Sequence, residues 1–224
     1  MNRQFDVVIV GAGMTGLGLA ALLARDSRLA IRVIDHAPAP TFDFAGDIGL
    51  RVSALAPATV ELLECASAWT RIRHRASRFE RMQVWDAAAA PDGPATVTFD
   101  ASEFAAAELG YIVENELVRH ALFESLQGTQ VVFEFEQSLD GFERRQNDWE
   151  IRLGERSVNA DLLIGADGNR SIVRDAAGIG TTETRYEQTA VVTHLQPERA
   201  HAATARQRFL GTGPIGLLPL ADGR

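Results

Sequence analysis

Gly11-Ala12-Gly13-Met14-Thr15-Gly16 is the grouping in this chain best suited to holding an anion. It fits the spacing G-x-G-x-x-G, which alone is a weak signal because glycine-rich turns are common. Its surroundings strengthen it. The apolar β-branched run Val7-Val8-Ile9-Val10 precedes it and an Ala/Leu-rich stretch follows. Asp35 stands 19 residues after Gly16, at the end of a second strand-like run, Ile31–Ile34. In that setting Gly11 permits a tight turn, Gly13 lets the backbone approach a pyrophosphate, and Gly16 lets helix and strand pack closely. The N–H groups at the helix start face the phosphates, and Asp35 accepts hydrogen bonds from the ribose hydroxyls. The chemistry is the binding of an adenine dinucleotide, with a purely structural glycine turn as the alternative. FAD and NAD both place an adenosine diphosphate at such a turn, so the spacing does not choose between them.

Other residues carry weaker signals. Asp167-Gly168 directly follows the apolar stretch Asp161–Gly165, at the carboxyl end of a strand where open α/β sheets bind ligands. An ordinary Asp-Gly turn explains the same pair. Arg51, on residue type alone, reads as a surface arginine. Asn115 opens a helical pattern and serves equally as a polar ligand contact or an N-cap. His36, His74, His120, His194 and His201 are scattered without metal spacing, so no metal site is expected. Ser53 and Ser171 have no partner base in the sequence, and no catalytic acid, base or nucleophile is assigned. That suits an enzyme whose cofactor carries the reaction.

The elements that must position these residues follow from periodicity. Phe5–Val10 predicts a strand, Thr15–Arg25 a helix, and Ile31–Ile34 a second strand, a β-α-β opening. Val7 to Ala24 is uncharged over 18 positions, but four glycines and the break at Gly11 favour a buried strand turning into a buried helix over a membrane span. Pro57–Ala68 reads as a helix. Met82–Trp85 and Ala95–Phe99 flank Pro91-Asp92-Gly93-Pro94 and predict a hairpin. Asn115–Leu126 returns to helical spacing. Val131–Leu139 and Trp149–Leu153 bracket a polar turn as strand, turn, strand, and alternation resumes at Gln188–Leu195, Gln207–Leu210 and Ile215–Leu220. The expected fold is α/β: a Rossmann-like FAD/NAD(P)-binding core with inserted antiparallel strands of a second domain. The division expected is a discontinuous cofactor-binding domain, 1–80 and 111–184, with a partial substrate domain at 81–110 and 185–224.

Composition sets bounds. The chain has 224 residues, 46% hydrophobic and 23% charged, enough to bury a core and unlike a disordered chain. Its net charge of −8 argues against a general nucleic-acid binder. All 22 basic residues are arginines. Five of them, Arg71, Arg73, Arg75, Arg78 and Arg81, crowd one stretch with His74; a solvated face balanced by acids is the favoured reading, and docking to anionic lipid the other. The single cysteine, Cys65, rules out an internal disulfide and a multi-cysteine metal site, so a cytoplasmic location is expected.

The chain resembles the flavin-dependent aromatic-ring hydroxylases, in the ubiquinone-biosynthesis branch. The likeness is carried by the glycine fingerprint with Asp35, by Asp47-Ile48-Gly49-Leu50-Arg51-Val52-Ser53-Ala54-Leu55, by Met82-Gln83-Val84-Trp85-Asp86, and by Gly110-Tyr111-Ile112-Val113-Glu114-Asn115. It extends to Leu163 through Arg174, around Asp167-Gly168, and to the tail from Thr204 to Leu220. The resemblance implies FAD as cofactor, with NADPH or NADH and O2 as co-substrates and a phenolic, polyprenylated ring as substrate. It places Arg51, Asn115, Asp167 and Gly168 near the flavin side of the cofactor. It also implies peripheral contact with the inner face of a membrane or with other ubiquinone-biosynthesis proteins. The family's later Gly-Asp motif does not occur, so the expectation is the N-terminal portion of such an enzyme, C-terminally incomplete. A flavin-dependent dehydrogenase or reductase of the same fold, or an inactive FAD-binding remnant, is the alternative.

Overall fold

A computed structural model describes residues 4–26 and 28–224. The opening elements are β1 (Gln4–Val10), α1 (Met14–Leu23) and β2 (Ile31–Ile34). The long uncharged stretch is thus split between a strand and a helix, with the glycine turn at the join. Among the described residues no helix is long and apolar enough to cross a membrane. Then come β3 (Val52–Leu55), α2 (Pro57–Cys65), α3 (Trp69–Ile72), β4 (Ser77–Phe79), β5 (Arg81–Asp86) and β6 (Val97–Asp100). The chain continues through β7 (Gly110–Glu114), α4 (Asn115–Ser125), β8 (Val132–Glu134), β9 (Gly141–Arg144) and β10 (Trp149–Leu153). It ends with β11 (Arg156–Gly165), α5 (Ile172–Ala176), β12 (Thr204–Leu210) and β13 (Gly213–Leu217).

Two compact units form. The first contains the chain up to Phe42, Leu63–Ala68 and Val118–Thr189. Its six-stranded sheet has the order β8-β2-β1-β11-β10-β9, with β8, β2, β1 and β11 parallel and β10 and β9 antiparallel at one edge. This is the Rossmann-like arrangement expected from β-α-β order. The Val7–Val10 run of β1 is unbroken and apolar because both faces of that central strand are covered: Val8 and Ile9 are fully buried, as are Ile31 and Ile34 of β2. The core of this unit gathers Phe5, Val8, Val10, Ile34, Ile151, Leu153 and Ala160.

The second unit contains Asp43–Leu62, Trp69–Leu117 and Ala190–Arg224. It holds a four-stranded sheet, β13-β12-β5-β6, and a three-stranded one, β3-β7-β4. Ile48, Phe79, Ile112, Ala205 and Leu220 form its core. The predicted hairpin is present, with Met82 opposite Phe99 and Val84 opposite Val97. The sheet is mixed where pure antiparallel pairing was expected. β5 and β12 run parallel, Thr204 beside Arg81 and Phe209 beside Asp86. No tight turn links these two strands, so nothing in the connection imposes antiparallel pairing.

Three further expectations are corrected. Val131–Leu139 was expected to be the hairpin partner of Trp149–Leu153; that partner is β9, with Phe142 opposite Ile151. A short turn, closed by Arg145 N–H to Asp148 O, can pair only the residues immediately before it, and the apolar Val132–Glu134 joins β2 as a parallel edge strand instead. The alternation at Gln188–Leu195 makes no strand; Val191 is 85% exposed, and without a neighbouring strand an alternating sequence has no ladder to join. The helix from Pro57 stops at Cys65, short of Ala68, because Ser67 turns into the left-handed region at φ 57°.

Candidate dinucleotide-binding site

The first unit brings the glycine turn, Asp35 and the Asp167-Gly168 turn together at the carboxyl ends of β1, β2 and β11. Gly11 leaves β1 with φ 108°, a conformation that L side chains rarely adopt, and its N–H donates to Ile34 O at 2.7 Å. A Cβ on it would lie 2.2 Å from Ala166 O, and one on Gly16 would lie 1.9 Å from Gly11 O. Both positions are closed by backbone. Gly13 differs: a Cβ there would meet nothing within 4 Å. Gly13 is also the N-cap of α1, and no side chain caps the helix start. The N-terminal amides of α1 therefore open onto free space beside a residue that adds no bulk, with the positive end of the helix dipole behind them.

Asp35 is held in place by its own hydrogen bonds. Its carboxylate accepts from Ala12 N–H at 2.6 Å and from Ala37 N–H at 2.8 Å, and its side chain is 10% exposed. It thereby ties the loop after β2 to the glycine turn. The His36 Nδ1 also lies 3.4 Å from Oδ1, and a carboxylate's roughly four acceptor sites still leave room for another donor.

Arg119 is the residue that sequence reasoning missed. From the second turn of α4 its Nε–H donates to Ala12 O at 2.9 Å, and Nη2 reaches toward Pro38 O at 3.4 Å. A permanent positive charge thus stands at the turn. The available signal was its position four residues after Asn115, on the same side of α4 as Asn115 and away from the face that Leu117 and Ala121 bury. No spacing rule links that position to a glycine turn more than 100 residues away.

Asp167 faces its own helix. Its Oδ1 accepts from Ser171 Oγ–H at 2.5 Å and its Oδ2 from Val173 N–H at 3.2 Å, while Ser171 caps α5 by accepting from Arg174 N–H at 2.9 Å. Gly168 follows at φ 85°, with open space around it. The Asp167 amide borders the place a Gly11 side chain would fill, so the two turns are adjacent.

Arg51 and Asn115 lie in the second unit and adjoin each other. Asn115 N–H donates to Arg51 O at 2.9 Å, and Asn115 Oδ1 accepts from Ser53 Oγ–H at 2.7 Å. Arg51 itself is exposed. Of the arginine-rich stretch, Arg75 pairs with Glu114, Arg78 with Glu80 and Arg81 with Asp100.

Residues 4–210 match the FAD binding domain family. Among curated proteins, the chain is 35% identical over 238 residues to the mitochondrial ubiquinone biosynthesis monooxygenase COQ6 of Mus musculus, covering 99% of this chain and 49% of that protein. It is 34% identical over 224 residues to 3-demethoxyubiquinol 3-hydroxylase of Escherichia coli, covering 99% of this chain and 56% of that one. The chain spans about half the length of the curated relatives it matches. Among solved structures, a variant of PqsL from P. aeruginosa superposes with a TM-score of 0.73 over 97% of this chain and 58% of that one, at 22% identity. The p-nitrophenol 4-monooxygenase PnpA of Pseudomonas putida gives 0.65 over 80% of this chain and 44% of that one, at 20% identity. At those identities the structures speak for the fold, and the sequence match speaks for descent: the chain belongs to the FAD binding domain family.

Proposed function

We propose that the chain is the FAD-binding part of a monooxygenase that hydroxylates a phenolic ring, of the polyprenylated ubiquinone-precursor class, with NADPH or NADH and O2 as co-substrates. The observation that carries this is the open space at Gly13, flanked by uncapped helix amides, the Asp35 carboxylate and the Arg119 guanidinium. The residues present fit an adenosine diphosphate: amides and an arginine for the two phosphates, a carboxylate with spare acceptor sites for the ribose. In this reading Gly11 and Gly16 keep the turn tight, Gly13 admits the diphosphate, and Asp35 orients the sugar. Arg51, Asn115, Asp167 and Gly168 serve the rest of the cofactor, as the likeness to the hydroxylase family suggests.

FAD bound there supplies the transfer of electrons from the nicotinamide nucleotide to dioxygen. The protein's own part is to hold the cofactor, place the ring and keep water out. The functional division proposed assigns 1–80 and 111–184 to cofactor binding and 81–110 and 185–224 to the substrate side. A polyprenylated substrate goes with a peripheral position at the inner face of a membrane, beside other proteins of ubiquinone synthesis. Purified chain titrated with FAD tests the reading directly. A bound flavin spectrum, competition by ADP, and NADPH oxidation with oxygen uptake only when a phenol is present support it. Absence of flavin binding overturns it. Substrate turnover without oxygen uptake replaces it with a dehydrogenase or reductase.

A further inference from the structure

Residues 43–51, which lead into β3 and carry Arg51, have no strand or helix of their own. One charge pair supplies three of the hydrogen bonds that hold them. Arg75, just after α3, and Glu114, the last residue of β7, lie 2.5 Å apart between Nε and Oε2, with side chains 18% and 6% exposed. Arg75 Nη2 also reaches Glu114 Oε1 at 3.3 Å. Each partner then grips the loop. Arg75 donates to Phe44 O at 3.1 Å and to Gly46 O at 2.8 Å, and Glu114 Oε1 accepts from Gly49 N–H at 2.6 Å. Between these bonds Ile48 is sunk in the core of the unit beside Phe79 and Ile112.

Two backbone carbonyls and one amide of a loop are thereby fixed by a pair that is itself anchored on a helix end and a strand end. The Glu114 carboxylate raises the Arg75 pKa above its ordinary value, so the guanidinium stays charged throughout the working range. A pair with one buried and one half-buried partner is a weak source of net stability, because desolvation offsets the attraction. Its bonds to the loop are directional, and direction is what a ligand-facing loop requires.

We propose that Arg75 and Glu114 are positioning residues that set the 44–49 segment, and through it Arg51, in the conformation that receives the flavin half of the cofactor. This rests on the reading that the Arg51 loop serves that half. The affinities of the chain for FAD and for ADP separate the two ideas, because ADP lacks the flavin and reports only on the glycine turn. Arg75→Met keeps an apolar stem and removes the bonds to Phe44, Gly46 and Glu114; Glu114→Gln keeps an acceptor for Gly49 N–H and removes the charge. Each is expected to weaken FAD binding by between about tenfold and about a hundredfold, the range for hydrogen bonds to charged groups, with ADP affinity unchanged. Circular dichroism and a urea midpoint matching the unsubstituted chain show that the second unit, which ADP does not probe, still folds in the variants. Arg51→Ala is expected to reproduce the same selective loss. If Arg51→Ala loses the preference for FAD over ADP while both clamp variants keep it, the positioning role is overturned and the loop reading stands. If Arg51→Ala keeps the preference, the loop reading fails and the positioning role falls with it.

Discussion

At the scale of single residues, the three fingerprint glycines do different work. At Gly16 a methyl group would run into a backbone carbonyl 1.9 Å away, and no side-chain rotation relieves that contact. Gly16→Ala is expected to cost about 1–3 kcal/mol or more in urea unfolding, the range for overpacking. At Gly13 the backbone is extended, with φ −76°, and the space is empty. Gly13→Ala is expected to change stability by less than about 1 kcal/mol, since alanine is only a poorer N-cap. It is expected to weaken ADP binding all the same, because the methyl occupies the approach to the amides. Equal effects of the two substitutions on unfolding would contradict this division of labour. Asp35→Ala removes the partner of the Ala12 and Ala37 amides; Ala12 is buried while Ala37 is half-buried and open to water, so a loss of about 1–3 kcal/mol is expected, mostly from Ala12.

At the scale of elements, the short helices are held by their caps. Ser171 caps α5, and Ser171→Ala is expected to cost about 0.5–2 kcal/mol, measurable as a lowered urea midpoint. Asp100, at the end of β6, caps the following single turn Ala101–Phe104 by accepting from Ser102 N–H at 3.0 Å. The Ser102 hydroxyl, then Arg81, then the Ser102 amide hold its carboxyl at about 2. A carboxyl pKa depressed by folding adds stability above its unfolded value of about 3.9, and that contribution drains away as pH falls from about 4 toward about 2. Carboxyl-carbon NMR should place the Asp100 midpoint at about 2, and Ser102→Ala should move it upward. An unchanged midpoint in that variant would show that the hydroxyl is not the main cause.

At the scale of the whole molecule, order is unevenly spread. Residues 181–196 form no ladder, and Tyr186, Val191 and Leu195 are exposed. The β1–β11 pairing, in contrast, is central in its sheet, and the β1 side chains Phe5, Val8 and Ile9 are buried along it. Because the chain has no lysine, trypsin can cut only after arginine. Limited trypsin digestion followed by mass spectrometry is expected to find Arg185 and Arg199 cut well before Arg32 or Arg152, which sit within strands. Early cleavage at Arg32 would mean that the parallel sheet is not the stable part of the molecule.

The sequence by itself determined the β-α-β opening, the turn that Gly11, Gly13 and Gly16 make beside Asp35, and most strand and helix types. Those features depend on neighbours within a few residues, through side-chain period, turn chemistry and helix start signals. Tertiary structure alone decided that β12 runs parallel beside β5, that Val132–Glu134 joins β2, and that Arg119 stands at the glycine turn. It also turned Arg75 from one member of an arginine-rich stretch into the partner of the buried Glu114. Each of these joins residues far apart in the chain. Their pairing follows from which surfaces meet once the sheets have formed, and no local periodicity encodes that.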